Sequence, residues 1–173
     1  MSKTQAVVGE VIGAEKIHEF STGVKVRFKP MSSMIVQRAQ EAVPMPPVFQ
    51  QAVPGPNNSV RIVDNPNHQD YVDRKREAEA SRGIKAIEAM ILFSVELVNG
   101  LPKDNTWLDD LAMVTDLQKY QAVDVDGKVT MSDKAKKLLY VMNVAAVTGD
   151  DFGMIATNAV VTEGRVQEEV ATF

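Results

Sequence analysis

Cysteine is missing from this 173-residue chain, which excludes disulfides, thiolate metal sites and a cysteine nucleophile. Histidine is nearly missing too. His18 and His68 are the only two, and neither has a partner at the spacing of H-E-x-x-H or at i,i+4. His68 follows a turn and is explained by the start of a helix, while His18, between Lys16 and Glu19, reads as a surface residue. No G-x-S-x-G surrounds a serine, and no P-loop or G-x-G-x-x-G occurs, so nucleophilic hydrolysis and nucleotide binding lack their usual frameworks. Long hydrophobic runs are also wanting. The longest, Ala89–Phe93, lies between Glu88 and Glu96 and is far shorter than a membrane span. Met1–Gln5 leads into a mixed stretch without a secretory apolar core, so an intracellular, soluble protein is expected.

What the chain does carry is ordinary hydrophobic content, 45%, and a net charge of −4 unevenly placed. Residues 1–82 hold 11 basic and 9 acidic groups, and residues 83–173 hold 8 and 14. An acidic second half argues against nucleic acid as the main partner, because phosphate neutralisation needs a basic face. Arg74-Lys75-Arg76 is flanked by Asp73, Glu77 and Glu79, which reads as a solvated helix face with i,i+3 and i,i+4 ion pairs.

The patterns predict an α+β fold: short N-terminal strands, one long central helix, then small helices with a β-hairpin. Gln5–Ile12 reads as β, and Val24–Lys29 alternates apolar and basic residues as a half-buried strand whose lysines suit an exposed or edge position. Ser32 or Ser33 caps a short helix over Met34–Ala42, which stops before Pro44. Residues 43–56 contain five of the eight prolines and are expected to be extended, as neither helix nor central strand. Val60–Val63 suggests one more strand. After the turn Asp64–Asn67 comes a helix of roughly 30 residues, charged first and then amphipathic at Ile84, Ile87, Ile91, Val95 and Val98, ending at Asn99-Gly100-Leu101-Pro102. Trp107–Leu117 forms an apolar stripe at 107, 108, 111, 114 and 117, with Trp107 a core anchor. A hairpin turns at Asp126-Gly127, Ser132 caps a helix, Thr148 or Asp150 caps another, and a terminal helix follows Gly164. The expected division is 1–63, β-rich with a Pro-rich strap, and 64–173, mainly helical, within one compact unit.

No catalytic, cofactor or metal residue emerges. Asp124-Val125-Asp126-Gly127 fails as a calcium loop, since the first ligand position falls on Ala122 and the twelfth on Asp133. The pairs Asp109-Asp110 and Asp150-Asp151 are adjacent, diverge on a helix, and suit helix N-termini or solvent. The dispersed methionines read mainly as core. What stands out is Val43, Met45, Val48 and Phe49, apolar side chains on a segment to which proline denies a regular element. They are the candidate partner-binding residues. The alternative is a strap packed on its own domain.

The order of segments carries a resemblance: Ser21–Phe28, Val43–Val48, Asp64–Tyr71, Arg82–Met90 and Gly100–Leu108. Together they resemble the small tail proteins of long-tailed bacteriophages, particularly their tail assembly chaperones, over residues 21–110. The resemblance is one of order and composition, and it brings no catalytic residues. It implies a protein of the host cell cytoplasm that binds the tape-measure protein, shields its hydrophobic helices and recruits tail tube subunits. Self-association into a homo-oligomer is compatible with it, whereas a membrane or nucleic-acid partner is not expected. The alternative is a structural phage tail or connector protein retained in the virion, or an unrelated interaction domain. An enzyme is not expected, since catalysis needs convergent polar groups.

Overall fold

The computed structural model describes residues 16–123 and 125–161. The expected strand Gln5–Ile12, Asp124 of the rejected calcium loop and the terminal helix after Gly164 lie outside the described residues. The fold is α+β. Contacts divide the chain into two compact units, one comprising the residues up to Ser33 with those from Ile87 onward, the other Met34–Ala86. Neither limit falls at residue 63.

The first unit is built on a three-stranded antiparallel sheet. Strand β1 (Ile17–Glu19) pairs with β2 (Lys25–Phe28), which pairs on its other side with Val95–Leu97. β2 is the central strand, so of the exposed or edge positions its lysines suit, they take the exposed one. Its basic residues do not need an edge, because period two sends Val26 into the core, fully buried, while Lys25 stays in solvent. Gly23, at φ +83°, turns β1 into β2, with Phe20 N–H donating to Val24 O and Gly23 N–H to Phe20 O. Strand β3 (Met31–Ser32) pairs in parallel with a strand at Val160–Val161.

In the second unit, helix α1 (Ser33–Glu41) runs close to the expected span. Strands β4 (Gln50–Pro54) and β5 (Val60–Asp64) form an isolated antiparallel pair with Gln50 opposite Asp64 and Ala52 opposite Ile62. The proline-rich stretch is thus partly a strand. Pro54 is tolerated because a two-stranded sheet is all edge and asks for no donor on its outer side. Between the strands Asn57 and Asn58 both sit in the left-handed region, at φ 57° and 58°, a conformation asparagine adopts more readily than most residues.

Helix α2 (Gln69–Phe93) has 25 residues and contributes to both units. It ends earlier than expected. Val95–Leu97 leaves the helix to become β6, pairing with β2 from Phe28 opposite Val95 to Val26 opposite Leu97. Ser94 is the pivot: buried, it donates its hydroxyl to Lys29 O at 2.6 Å and accepts Lys29 N–H on its carbonyl at 2.8 Å. Lys137 Nζ donates to Leu92 O and Val95 O, at 3.0 and 2.9 Å, satisfying one carbonyl of the helix's last turn and one at the start of β6. Gly100, at φ +69°, closes the turn after β6.

Helix α3 (Thr106–Ala112) is also shorter than expected. Leu111 is buried, but Met113 and Val114 lie 86% and 82% exposed, so the apolar stripe stops at 111. Trp107 is half-buried, edge-on to Tyr140 at 5.2 Å. Strands β7 (Ala122–Val123) and β8 (Val129–Thr130) form the expected hairpin, with Gly127 at φ +78° in its turn. Ser132 caps α4 (Asp133–Tyr140), accepting Ala135 N–H at 3.2 Å, and a wider turn over Val141–Ala145 follows. Helix α5 (Gly149–Ala159) leads into β9 (Val160–Val161). The core gathers Phe20, Val26, Ile91, Val95, Leu139, Val141 and Ile155.

Asp151 takes the helix N-terminal place expected of the adjacent acids, and its burial is what the sequence did not show. It is at a helix N-terminus, yet only 2% exposed. Its carboxylate accepts Ser21 N–H and Oγ–H at 2.8 and 2.6 Å, and the amides of Val147 and Thr148 at 3.1 and 3.0 Å. Its own amide donates to Thr148 Oγ1 at 3.2 Å, completing a reciprocal cap. Burial alone would raise its pKa, but the hydrogen bonds from Ser21 and Thr148 outweigh it and hold the carboxyl well below the usual range.

Candidate partner-binding surface

Met34–Ala86 contains many apolar side chains and almost no core. All its residues are described, and only Ala86, at its limit, is buried. Met34 is 48% exposed, Val60 71%, Ile62 59% and Ile84 52%. A segment of this composition normally closes over its own side chains. Here the apolar groups are spread over a short helix, a strap, a two-stranded hairpin and the charged part of α2, none of which encloses the others' side chains.

The strap between α1 and β4 is pinned at both ends. Val43 O accepts from Arg82 Nε at 2.8 Å, a reach from α2. At the other end Phe49 O accepts Asn65 N–H at 2.7 Å, and Asn65 Nδ2 donates to Gln51 Oε1 at 2.9 Å. The Phe49 ring stacks on His68, with centroids 3.6 Å apart and planes 10° from parallel. His68 Nδ1 is buried without a hydrogen-bond partner, 4.0 Å from Asp70 Oδ2. Between the pins proline supplies the stiffness that hydrogen bonding would otherwise provide.

The four sequence candidates therefore sit on one strap but in unequal states. Val43 and Met45 are half-buried, Val48 is exposed, and Phe49 is half-buried against His68. Beside Val48 and Phe49 opens a cavity of about 560 Å³, completed by Pro47, Gln50, Asp64 and Arg74. Its wall is apolar on the strap side and carries one cation and one carboxylate on the other. Such a surface suits an apolar side chain flanked by a polar or charged group. Arg74 also donates to Asp70 O at 3.1 Å, and Lys75 pairs with Glu79 at 3.8 Å, so the basic cluster carries ion pairing along the helix.

Sequence reasoning missed Val60, Ile62, Asp64 and Arg74 as parts of this surface. Alternation at 60–63 marked the strand, but nothing local marks β4 as its partner across a loop rich in proline. A second cavity, of about 360 Å³, lies in the other unit beside Lys29, Phe93, Glu96 and Lys137. Three of its charged groups are engaged: Lys29 pairs with Glu96 at 3.2 Å, and Lys137 donates to Leu92 O and Val95 O. Burial, followed by the nearby charges of Lys134 and Lys29, lowers the Lys137 pKa, with Glu96 opposing. His18 is half-buried edge-on to Phe28 at 5.1 Å, and burial and Lys16 lower its pKa.

No group of three or more metal-ligating side chains exists among the described residues, and no described helix is long and apolar enough to cross a membrane. No protein-family model matches the chain, and neither the curated proteins nor the solved structures compared with it give a significant match.

Proposed function

We propose that this chain is a tail assembly chaperone of a long-tailed bacteriophage, holding the tape-measure protein and assisting tail tube assembly in the host cytoplasm. The partner comes from the resemblance of segments between residues 21 and 110. The means of holding it comes from one observation, the near absence of buried side chains in Met34–Ala86 despite its exposed apolar residues. Apolar surface left in water costs roughly 25 cal/mol per Å², and burying it against an amphipathic helix recovers that free energy. The charged opening of α2 keeps such a surface soluble while it waits.

The test is co-expression with a tape-measure protein of a long-tailed bacteriophage. The tagged chain is expected to bring that protein down in soluble form. Replacing Met45, Val48 and Phe49 by serine should abolish co-purification while circular dichroism stays native. Global unfolding of that variant instead assigns the segment to a strap. Val48→Ser, the change least able to disturb packing, separates the two outcomes further. A helper acts in the cell and leaves, so the chain should be missing from purified virions. Its presence there would favour a structural tail component.

A further inference from the structure

We infer that two copies of this chain pair through the outer edge of β5, forming a two-fold dimer with a continuous four-stranded antiparallel sheet. The argument begins with the hydrogen bonds at the two ends of the hairpin. Asn65 N–H donates to Phe49 O and Gly55 N–H donates to Ser59 O, both at 2.7 Å. Bonded pairs alternate along an antiparallel ladder. With the observed register, both ends agree that residues 51, 53, 61 and 63 point their backbone groups inward. Gln50, Ala52 and Pro54 on β4, and Val60, Ile62 and Asp64 on β5, therefore point theirs outward.

The two outer edges are not equivalent. Pro54 has no N–H, which blunts the β4 edge. The β5 edge carries three successive N–H and C=O pairs, and its side chains Val60, Arg61, Ile62 and Asp64 are all exposed. A two-stranded hairpin is marginal by itself and gains independent stability from further strands. A second copy supplies two at once, of matching length and alternation.

One open edge and one blunted edge also select the occupant's geometry. Pairing β5 on β5 uses both open edges and leaves only proline-bearing ones outside, so the assembly closes at two copies and does not grow into a fibre. The register that uses all three outward residues places Ile62 opposite its own counterpart, with Val60 opposite the second copy's aspartate. Centring on Asp64 would set two carboxylates face to face, which is unfavourable. The chosen register joins the two exposed Val60–Ile62 pairs into one apolar strip.

The absence of cysteine makes the test clean. In the inferred register the two residues at position 62 have Cα atoms about 5.5 Å apart, within the range a disulfide bridges. Positions 60 and 60 of the two copies lie roughly 14 Å apart, from four residues at about 3.4 Å each, beyond that range. Full-length Ile62→Cys should therefore form a covalent dimer quickly under mild oxidation, and Val60→Cys slowly. The wild-type chain should sediment as a dimer across a dilution series. Ile62→Pro, which removes an outward N–H and spares the inner ladder, should weaken self-association tenfold or more in order of magnitude, with native circular dichroism. A wild-type chain that is monomeric throughout, or equal crosslinking at 60 and 62, overturns the inference. Dimerisation that survives Ile62→Pro unchanged overturns it as well.

Discussion

Four hydrogen bonds converge on the Asp151 carboxylate, and two of them come from Ser21, 130 positions away in the chain. Replacing it by asparagine turns one acceptor oxygen into a donor aimed at donors. We expect Asp151→Asn to lose about 1–3 kcal/mol of stability near neutral pH, read by urea unfolding. The pH dependence has a definite sign. The carboxyl titrates lower in the folded chain than in the unfolded one, where it sits near the ordinary value of about 3.9. The stabilisation is complete above about pH 4 and fades as pH falls toward the folded value. The gap between wild type and Asp151→Asn should therefore narrow in acid, and a gap that widened below about pH 4 would contradict this. Local sequence held half of the signal, since Thr148 and Asp151 have the spacing of a reciprocal cap. The other half, the turn at Ser21, is a tertiary contact, and no window around Asp151 contains it.

Helix α2 and strand β6 show how one apolar pattern serves two periods. Ile91 and Val95 are four apart, as a helix requires, and Val95 and Leu97 are two apart, as a strand requires. Residue spacing supports either element, and the choice is made by β2, which needs a neighbour opposite Val26 and Phe28. Ser94 and Gly100 carry the consequence. Ser94→Ala removes a buried hydroxyl from Lys29 O and should cost about 1 kcal/mol. Gly100→Ala should cost about 1–2 kcal/mol, because a Cβ at φ +69° meets no neighbour and the penalty is purely conformational. Thermal or urea unfolding measures both, and a neutral Gly100→Ala would mean that the turn relaxes. Elements set by local chemistry were legible: the Ser132 cap, the Asp126-Gly127 turn, α1 ending before Pro44, and β5. On the candidate surface, proline made 43–49 legible as irregular. The pairing of β4 with β5 was not legible, because the proline that marks a non-central strand says nothing about an edge one. Likewise the stripe 107–117 ended early because Val114 has no packing partner to keep α3 going.

The two units differ in what holds them. One has a core around Ile91, Val95, Leu139 and Ile155, whereas Met34–Ala86 relies on backbone pairing, prolines and a few side-chain bonds such as Arg82 to Val43. Amide exchange should reflect that contrast. Hydrogens on the outer edge of β4, at Gln50 and Ala52, which stay in solvent in the inferred dimer, are expected to exchange well before those of β2 and β6, read by mass spectrometry of peptides. Equal protection there would mean that the β4 edge is covered as well. The tie between distant segments has another side, which concerns synthesis. β2 cannot complete its sheet until Val95 has left the ribosome, and Ser21 has no carboxylate until Asp151 follows. At roughly 5–20 residues per second, the stretch from Phe28 to Val95 alone takes roughly 3–13 s to make. The earliest strands thus wait half-formed while the coreless middle emerges, and the order of translation runs against the order of folding.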